Sequence, residues 1–415
     1  MDARTVAGGT EVELPALARE SLDHYAELLV GFGANVQPGQ ILELRSDIGK
    51  EPLTRAIAAS AYRRGARFVD VSYFDPHVRR ARIAHAPEDS LDFVPSWHAD
   101  RVRQLGAQRC ARIGISGTPV PGLLDDLDPA RAARDRFPFI PEYIEVINDN
   151  TTNWCGAACP TPEWASLVHP TLEPAAALGR LWEQILHVCR LDEEDPIAAW
   201  QERLDVLTRA ERALGTQRFD ALHFEGPGTD LTVGLLPTSI WSSGCSQTVD
   251  GIPFVANLPT EEIFTAPDPA RADGHVTSTR PLQLRSGVLV RDLRVRFSGG
   301  RAVEIEASEG GEALRAACAR DEGASRLGEV ALVDRGGRVG ALNTVFYTTL
   351  LDENAAGHVA LGSAYLDTVG KEDRERANHS AIHVDFMIGG DEVDVTGLTR
   401  DSERVPVLRG GDWQI

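Results

Sequence analysis

His383-Val384-Asp385 sets an imidazole and a carboxylate two residues apart, directly before the apolar run Phe386-Met387-Ile388. In a strand, alternate residues project from one face, so the pair offers a nitrogen and an oxygen to the same point, the way a protein holds a divalent metal. Burying both groups unpaired is costly, and a metal resolves that cost. Upstream lie Glu261, Glu262, Glu329 and His358. Glu329 begins the apolar strand Gly328 to Val333 and, taken alone, reads as a solvent-facing strand end. His358 is flanked by Ala355, Ala356, Gly357 and Gly362, small residues that let backbone or a metal approach closely. Glu261 and Glu262 follow Asn257-Leu258-Pro259-Thr260 and read equally as ligands or as the first turn of a helix capped by Thr260. With one of Glu261 and Glu262 counted, three carboxylates and two imidazoles with no thiolate form a hard-to-borderline donor set suited to Zn, Co or Mn. A carboxylate can bridge two cations roughly 3.5–4 Å apart, a pairing that activates water and polarises a carbonyl.

The elements that must position these groups fall into two textures. Residues 1–215 alternate helix and short apolar strand: a helix through Ala18, Leu22, Tyr25 and Leu29, a strand at Ile41 to Leu44, a helix from Pro52 to Arg64, then Phe68 to Val71 and Ile113 to Ile115. This predicts an α/β domain with a parallel sheet, closed by two helices between Ala177 and Leu214 that break at Asp195-Pro196. No glycine-rich phosphate loop follows any of these strands, which disfavours a nucleotide cofactor. Residues 216–415 change to short strands, among them Leu231 to Leu235, Val288 to Phe297, Val303 to Glu306, Val330 to Val333 and Ile382 to Ile388, with a helix at Glu312 to Ala319. That half reads as a strand-rich α+β domain carrying the metal site. Lys371 to Arg376 reads as a solvated loop.

Charge and composition exclude several functions. With 62 acids against 42 Lys and Arg in 415 residues, the net charge of −20 repels a phosphate backbone, so no nucleic-acid partner is expected. The six cysteines form no C-x-x-C pair, which argues against a disulfide framework or a thiolate zinc site. The segment before Pro15 lacks the basic and apolar regions of a secretory signal, and no stretch is apolar long enough to span a bilayer. The expected location is the cytoplasm, with no membrane partner.

Four motifs in order carry a specific likeness: Asn257 to Pro267, Gly328 to Val333, Thr349 to Ala355 and His383 to Gly389. Together with Val36 to Gln40, Asn153-Trp154-Cys155, Pro160 to Ala165 and Gly226 to Leu235, they make nearly the whole chain resemble the thermophilic-type M29 metallo-aminopeptidases. The resemblance implies an exopeptidase that frees N-terminal residues from peptides with two divalent metal ions. By motif position it places the metal ligands at Glu262, Glu329, His358, His383 and Asp385, and a catalytic tyrosine at Tyr365. It also implies a homodimer whose active sites face an enclosed cavity. A carboxylate outside the ligand set must carry a proton from water to the leaving amine; we assign this to Glu261 ahead of Glu353, which reads equally as a loop acid. Two rival readings remain at this level: an iron-dependent ring-cleaving dioxygenase relative, which needs fewer of these ligands, and a noncatalytic metal-binding protein. Trp154, Trp164 and Trp241 are expected to pack in the core.

Overall fold

The computed structural model describes residues 14–117, 120–135, 137–138, 140–284 and 286–415. The leader expected before Pro15 falls almost entirely outside them. The apolar runs of the first half form parallel strands Ile41–Asp47, Phe68–Phe74, Ala111–Ser116 and Trp154–Ala158, with Ile41–Asp47 between Phe68–Phe74 and Ala111–Ser116. Helices Ala16–Leu28 and Glu51–Arg63 pack on the sheet through Tyr25, Leu53 and Ile57. The two long helices break where the sequence places the break. Pro174–Val188 ends before Asp195, whose carboxylate caps Pro196–Gln217 by accepting from the Ile197 and Ala198 amides.

The second half contains two antiparallel layers. One is an eight-stranded sheet running from Arg301–Glu306 to Asp412–Trp413, with Thr229–Leu235 and Ala221–Gly226 near its middle. The other has five strands in the order His383–Met387, His358–Gly362, Leu327–Val333, Glu262–Thr265 and Ser242–Ser243. Its middle strand, Leu327–Val333, is buried along its whole length. One short segment joins the sheets of the two halves. Asn257–Leu258 joins the first sheet beside Trp154–Ala158, and four residues later the chain enters the five-stranded sheet at Glu262.

Three local expectations change. Glu261 and Glu262 do not open a helix, because Glu262–Thr265 pairs with Val330 to Val333, and the ladder satisfies the backbone groups that a helix would have bonded internally. The run Val288 to Phe297 divides into Leu289–Val290 and Arg294–Ser298, with Asp292 between them at φ 50°. The segment Lys371 to Arg376 is anchored rather than simply solvated: buried Asp373 accepts from the Thr238 amide and hydroxyl and pairs with Arg376. Among the described residues, no helix is long and apolar enough to cross a membrane.

Gly328 controls the register of the central strand. The ladder pairs Leu327 with Leu361 and Glu329 with Ala360, so Gly328 is the extra residue of a bulge that re-aims Glu329. A Cβ there would lie 2.1 Å from the Gly362 carbonyl oxygen, a backbone atom with little freedom to retreat. Gly328→Ala should therefore destabilise the protein by about 1–3 kcal/mol through overpacking, measured as a lowered urea midpoint at unchanged slope; a midpoint equal to wild type would mean the bulge tolerates a side chain.

Candidate metal centre

The strand register explains why acids and histidines scattered over more than a hundred residues meet. In the five-stranded sheet Glu262 pairs with Val333, Ala331 with His358, Glu329 with Ala360, Ala360 with Asp385, and Gly362 with His383. Laterally paired residues share a face, and so do residues two apart along a strand. Glu262, Glu329, His358, His383 and Asp385 therefore all project from one side. The positions between them on that face are Ala331, Ala360 and Gly362, whose small side chains leave room for the longer groups to converge.

Glu329 is the centre of the cluster. Its Oε1 lies 3.4 Å from His358 Nε2 and its Oε2 lies 3.6 Å from His383 Nε2. Glu262 Oε2 stands 3.1 Å from His358 Nε2, and Asp385 Oδ1 stands 3.1 Å from His383 Nε2. Two donor groups result, Glu262, Glu329 and His358 on one side and Glu329, His383 and Asp385 on the other, each with ligand atoms within 4.8 Å of one another. Both imidazoles are oriented from behind. His358 Nδ1 faces the Ala356 carbonyl at 3.2 Å and His383 Nδ1 faces the Ser363 carbonyl at 2.8 Å, so each Nδ1 carries the hydrogen and each Nε2 presents a lone pair to the cluster.

A third group links Glu353 with His358 and Asp385. Glu353 follows the short helix Thr349–Asp352, which is pinned by Asp352 accepting from the Phe346 and Thr348 amides. Glu353 shares a partner with each of the first two groups and so reaches both positions.

Glu261 is not brought to the cluster. As the neighbour of Glu262 it points to the other side, where it is completely buried and held by Arg190 and Arg203 from the helical pair, while its amide donates to Asn354 Oδ1. Arg203 continues to Asp334 at 2.6 Å. A carboxylate held by two guanidiniums is poorly suited to carry protons, so the role assigned to Glu261 passes to another acid.

The comparisons with known proteins agree with this geometry. The family model for thermophilic metalloproteases (M29) matches residues 18–413. The chain belongs to the M29 family. It is 42% identical to "Aminopeptidase T" of Thermus aquaticus, over 95% of this chain and 99% of that one, and 38% identical to "Aminopeptidase 2" of Geobacillus stearothermophilus, over 95% and 98%. The solved structure "Wild-type AmpT from Thermus thermophilus" superposes with a TM-score of 0.87 at 40% identity, covering 96% of this chain and all of that one.

Membership of M29, a metalloprotease family, implies divalent metal ions, and the residues present fit them. Glu262 Oε2, Glu329 Oε2 and His358 Nε2 are buried without any hydrogen-bond partner, a costly arrangement unless a cation takes the lone pairs. Without cations the cluster must hold protons instead. Burial, reinforced by Glu262 and Asp385, pushes the Glu353 carboxyl well up, and burial raises Glu329 as well. Burial opposes a charged His383, but Asp385 and Glu329 outweigh it and raise its pKa to about 9. Cation binding would therefore release protons.

The M29 chain also shows what sequence reading misplaces. Trp164 and Trp241 are buried as expected, whereas Trp154 stands 6.1 Å from Phe254 on the wall of a cavity that opens on the cluster. Tyr365 reaches the same cavity, its ring 5.1 Å from that of His383. Arg190 and Arg203 are invisible as site supports in the sequence, being 71 and 58 residues from the acid they hold. Glu261→Ala would leave the buried Arg190 without its carboxylate and Arg203 with Asp334 alone, and should cost about 3–5 kcal/mol in denaturant unfolding; a loss below ~1 kcal/mol would contradict the strut.

Proposed function

We propose that this protein removes N-terminal residues from peptides at a two-cation site held by Glu262, Glu329, His358, His383 and Asp385. It is a metal-dependent aminopeptidase, a hydrolase of peptide bonds. The observation that carries the two-cation reading is Glu329, whose two oxygens each face a different histidine. The thiolate-free donor set supports Zn, Co or Mn.

The bound pair supplies activation of water and polarisation of the scissile carbonyl. The remaining steps belong to the chain. Glu353, which reaches both positions, accepts the proton of the attacking water and delivers it to the leaving nitrogen. Its ionisable carboxyl sits among acids, unlike Glu261 between two arginines. Tyr365 donates its hydroxyl to the carbonyl oxygen as negative charge develops there. Trp154, Phe254 and Phe264 wall the cavity and receive the first side chain, while Asp367 on the same wall offers a carboxylate to the free ammonium. The cavity measures about 100 Å³, well below the roughly 300–1,000 Å³ of most small-molecule pockets, and room for little more than one terminal residue suits an exopeptidase.

Residues 216–415 form the catalytic domain in this reading, and residues 1–215 lend Ile147, Asn150 and Trp154 to the cavity wall. A homodimer in the cytoplasm is part of the same proposal; the six cysteines, all free, suit a reducing compartment. Exhaustive chelation should abolish hydrolysis of aminoacyl anilides, and Co or Zn should restore it; activity persisting in metal-free protein would overturn the assignment. Tyr365→Phe should lower kcat by about 10²–10³-fold, the usual effect of removing one oxyanion donor, with metal content unchanged; wild-type kcat would remove the tyrosine from the mechanism.

A further inference from the structure

Asn257 stands on the wall of the metal-site cavity and takes no part in the hydrolytic steps. It is half-buried, while Leu258 on the opposite face of the same short strand is completely buried in the core. Among the described residues the Asn257 carboxamide makes no hydrogen bond. Nearby groups of the same chemistry are engaged at both ends. Asn153, beside the wall residue Trp154, donates to the Ala34 carbonyl at 2.6 Å and accepts from Gln40 Nε2 at 2.8 Å. Asn354, beside Glu353, accepts from the Glu261 amide and donates to the Leu350 carbonyl at 2.9 Å.

The surrounding chain makes room for this side chain and fixes it. Asn257 pairs with Gly156 of the strand Trp154–Ala158, and a Cβ on Gly156 would lie 2.7 Å from Asn257 Oδ1. Gly156 has no positive φ, so the crossing carboxamide, rather than the backbone conformation, is what calls for glycine there. Trp154 lies two residues before Gly156 and therefore on the same face, which sets Asn257 beside the wall made by Trp154 and Phe254. Four residues after Leu258 the chain supplies Glu262 to the metal sheet. The carboxamide is thus anchored by the first sheet on one side and by the ladder of a proposed metal ligand on the other.

We propose that Asn257 binds the backbone of the peptide's second residue, the one after the scissile bond. The inference rests on the aminopeptidase reading, in which Asp367 takes the free ammonium, the aromatic wall the first side chain, Tyr365 the carbonyl oxygen and Glu353 the leaving nitrogen. The backbone groups of the substrate still without a partner are then those of the second residue, beginning with its carbonyl. A carboxamide offers both donor and acceptor, so Asn257 can pair with that carbonyl and with the amide that follows it. A cavity of about 100 Å³ filled by the first residue sends the second out past its wall. A substrate that ends before this point covers the carboxamide, displaces its water and leaves it unpaired, and a site built to hydrogen-bond a group discriminates against ligands lacking that group. Asn257 therefore selects peptides over amino-acid amides.

The test compares kcat/KM of the metal-loaded full chain for leucyl-glycinamide and for leucinamide, which differ only by the second residue. The wild type should favour leucyl-glycinamide, and Asn257→Ala should reduce that ratio about three- to tenfold, the worth of one hydrogen bond, with metal content unchanged. Gly156→Ala, which keeps Asn257 but displaces its Oδ1, should reduce the ratio in the same direction and decides the matter should Asn257→Ala fold poorly. A merely structural role would lower both activities together and leave the ratio at its wild-type value, which would overturn the proposal, as would a wild type that shows no preference. Failure of the metal-loaded wild type to cleave either substrate would overturn the aminopeptidase reading itself, and this inference with it.

Discussion

Four carboxylates, those of Glu262, Glu329, Glu353 and Asp385, converge with two imidazoles on one face of a buried sheet. Each charge removed from water costs several kcal/mol, and like charges compound the penalty. The two divalent cations of the proposed site would carry four positive charges and balance the four carboxylates. The elements around the site serve that balance: the bulge at Gly328 aims Glu329 between the histidines, small residues on the shared face admit the cations, and backbone carbonyls fix both imidazoles with Nε2 inward.

The opposite side of the same strand carries a separate balance. Glu261 is neutralised by Arg190 and Arg203, and Arg203 passes on to Asp334. Adjacent glutamates thus do opposite work because a strand sends neighbours to opposite faces. One faces the cation site and the other ties the helical pair to the strand. Asn354, directly after Glu353, accepts a hydrogen bond from the Glu261 amide, so the strut and Glu353 are anchored at the same place.

Much of this was legible in the sequence because it depends on short periods. His383 and Asp385 two apart, the apolar runs of both halves, and the helix break at Asp195-Pro196 are local patterns, and the four long motifs add the M29 likeness. Choosing between Glu261 and Glu262 needs the pairing of Glu262 with Val333, a long-range register that no local pattern encodes. The same holds for Glu353, a loop acid in sequence that becomes a site residue only when Thr349–Asp352 docks beside His358 and Asp385. Trp154 was expected in the core for its size; it instead walls the cavity, since its strand lies beside the segment that feeds Glu262 into the metal sheet.

The central claim is that one carboxylate, Glu329, is shared by two cations. Calorimetric titration of the metal-stripped protein with Zn tests it most directly, with bound metal counted by elemental analysis. The account predicts two equivalents per wild-type chain, and weakened binding of both in Glu329→Gln. One equivalent in the wild type, or two bound with unchanged affinity in Glu329→Gln, would contradict it.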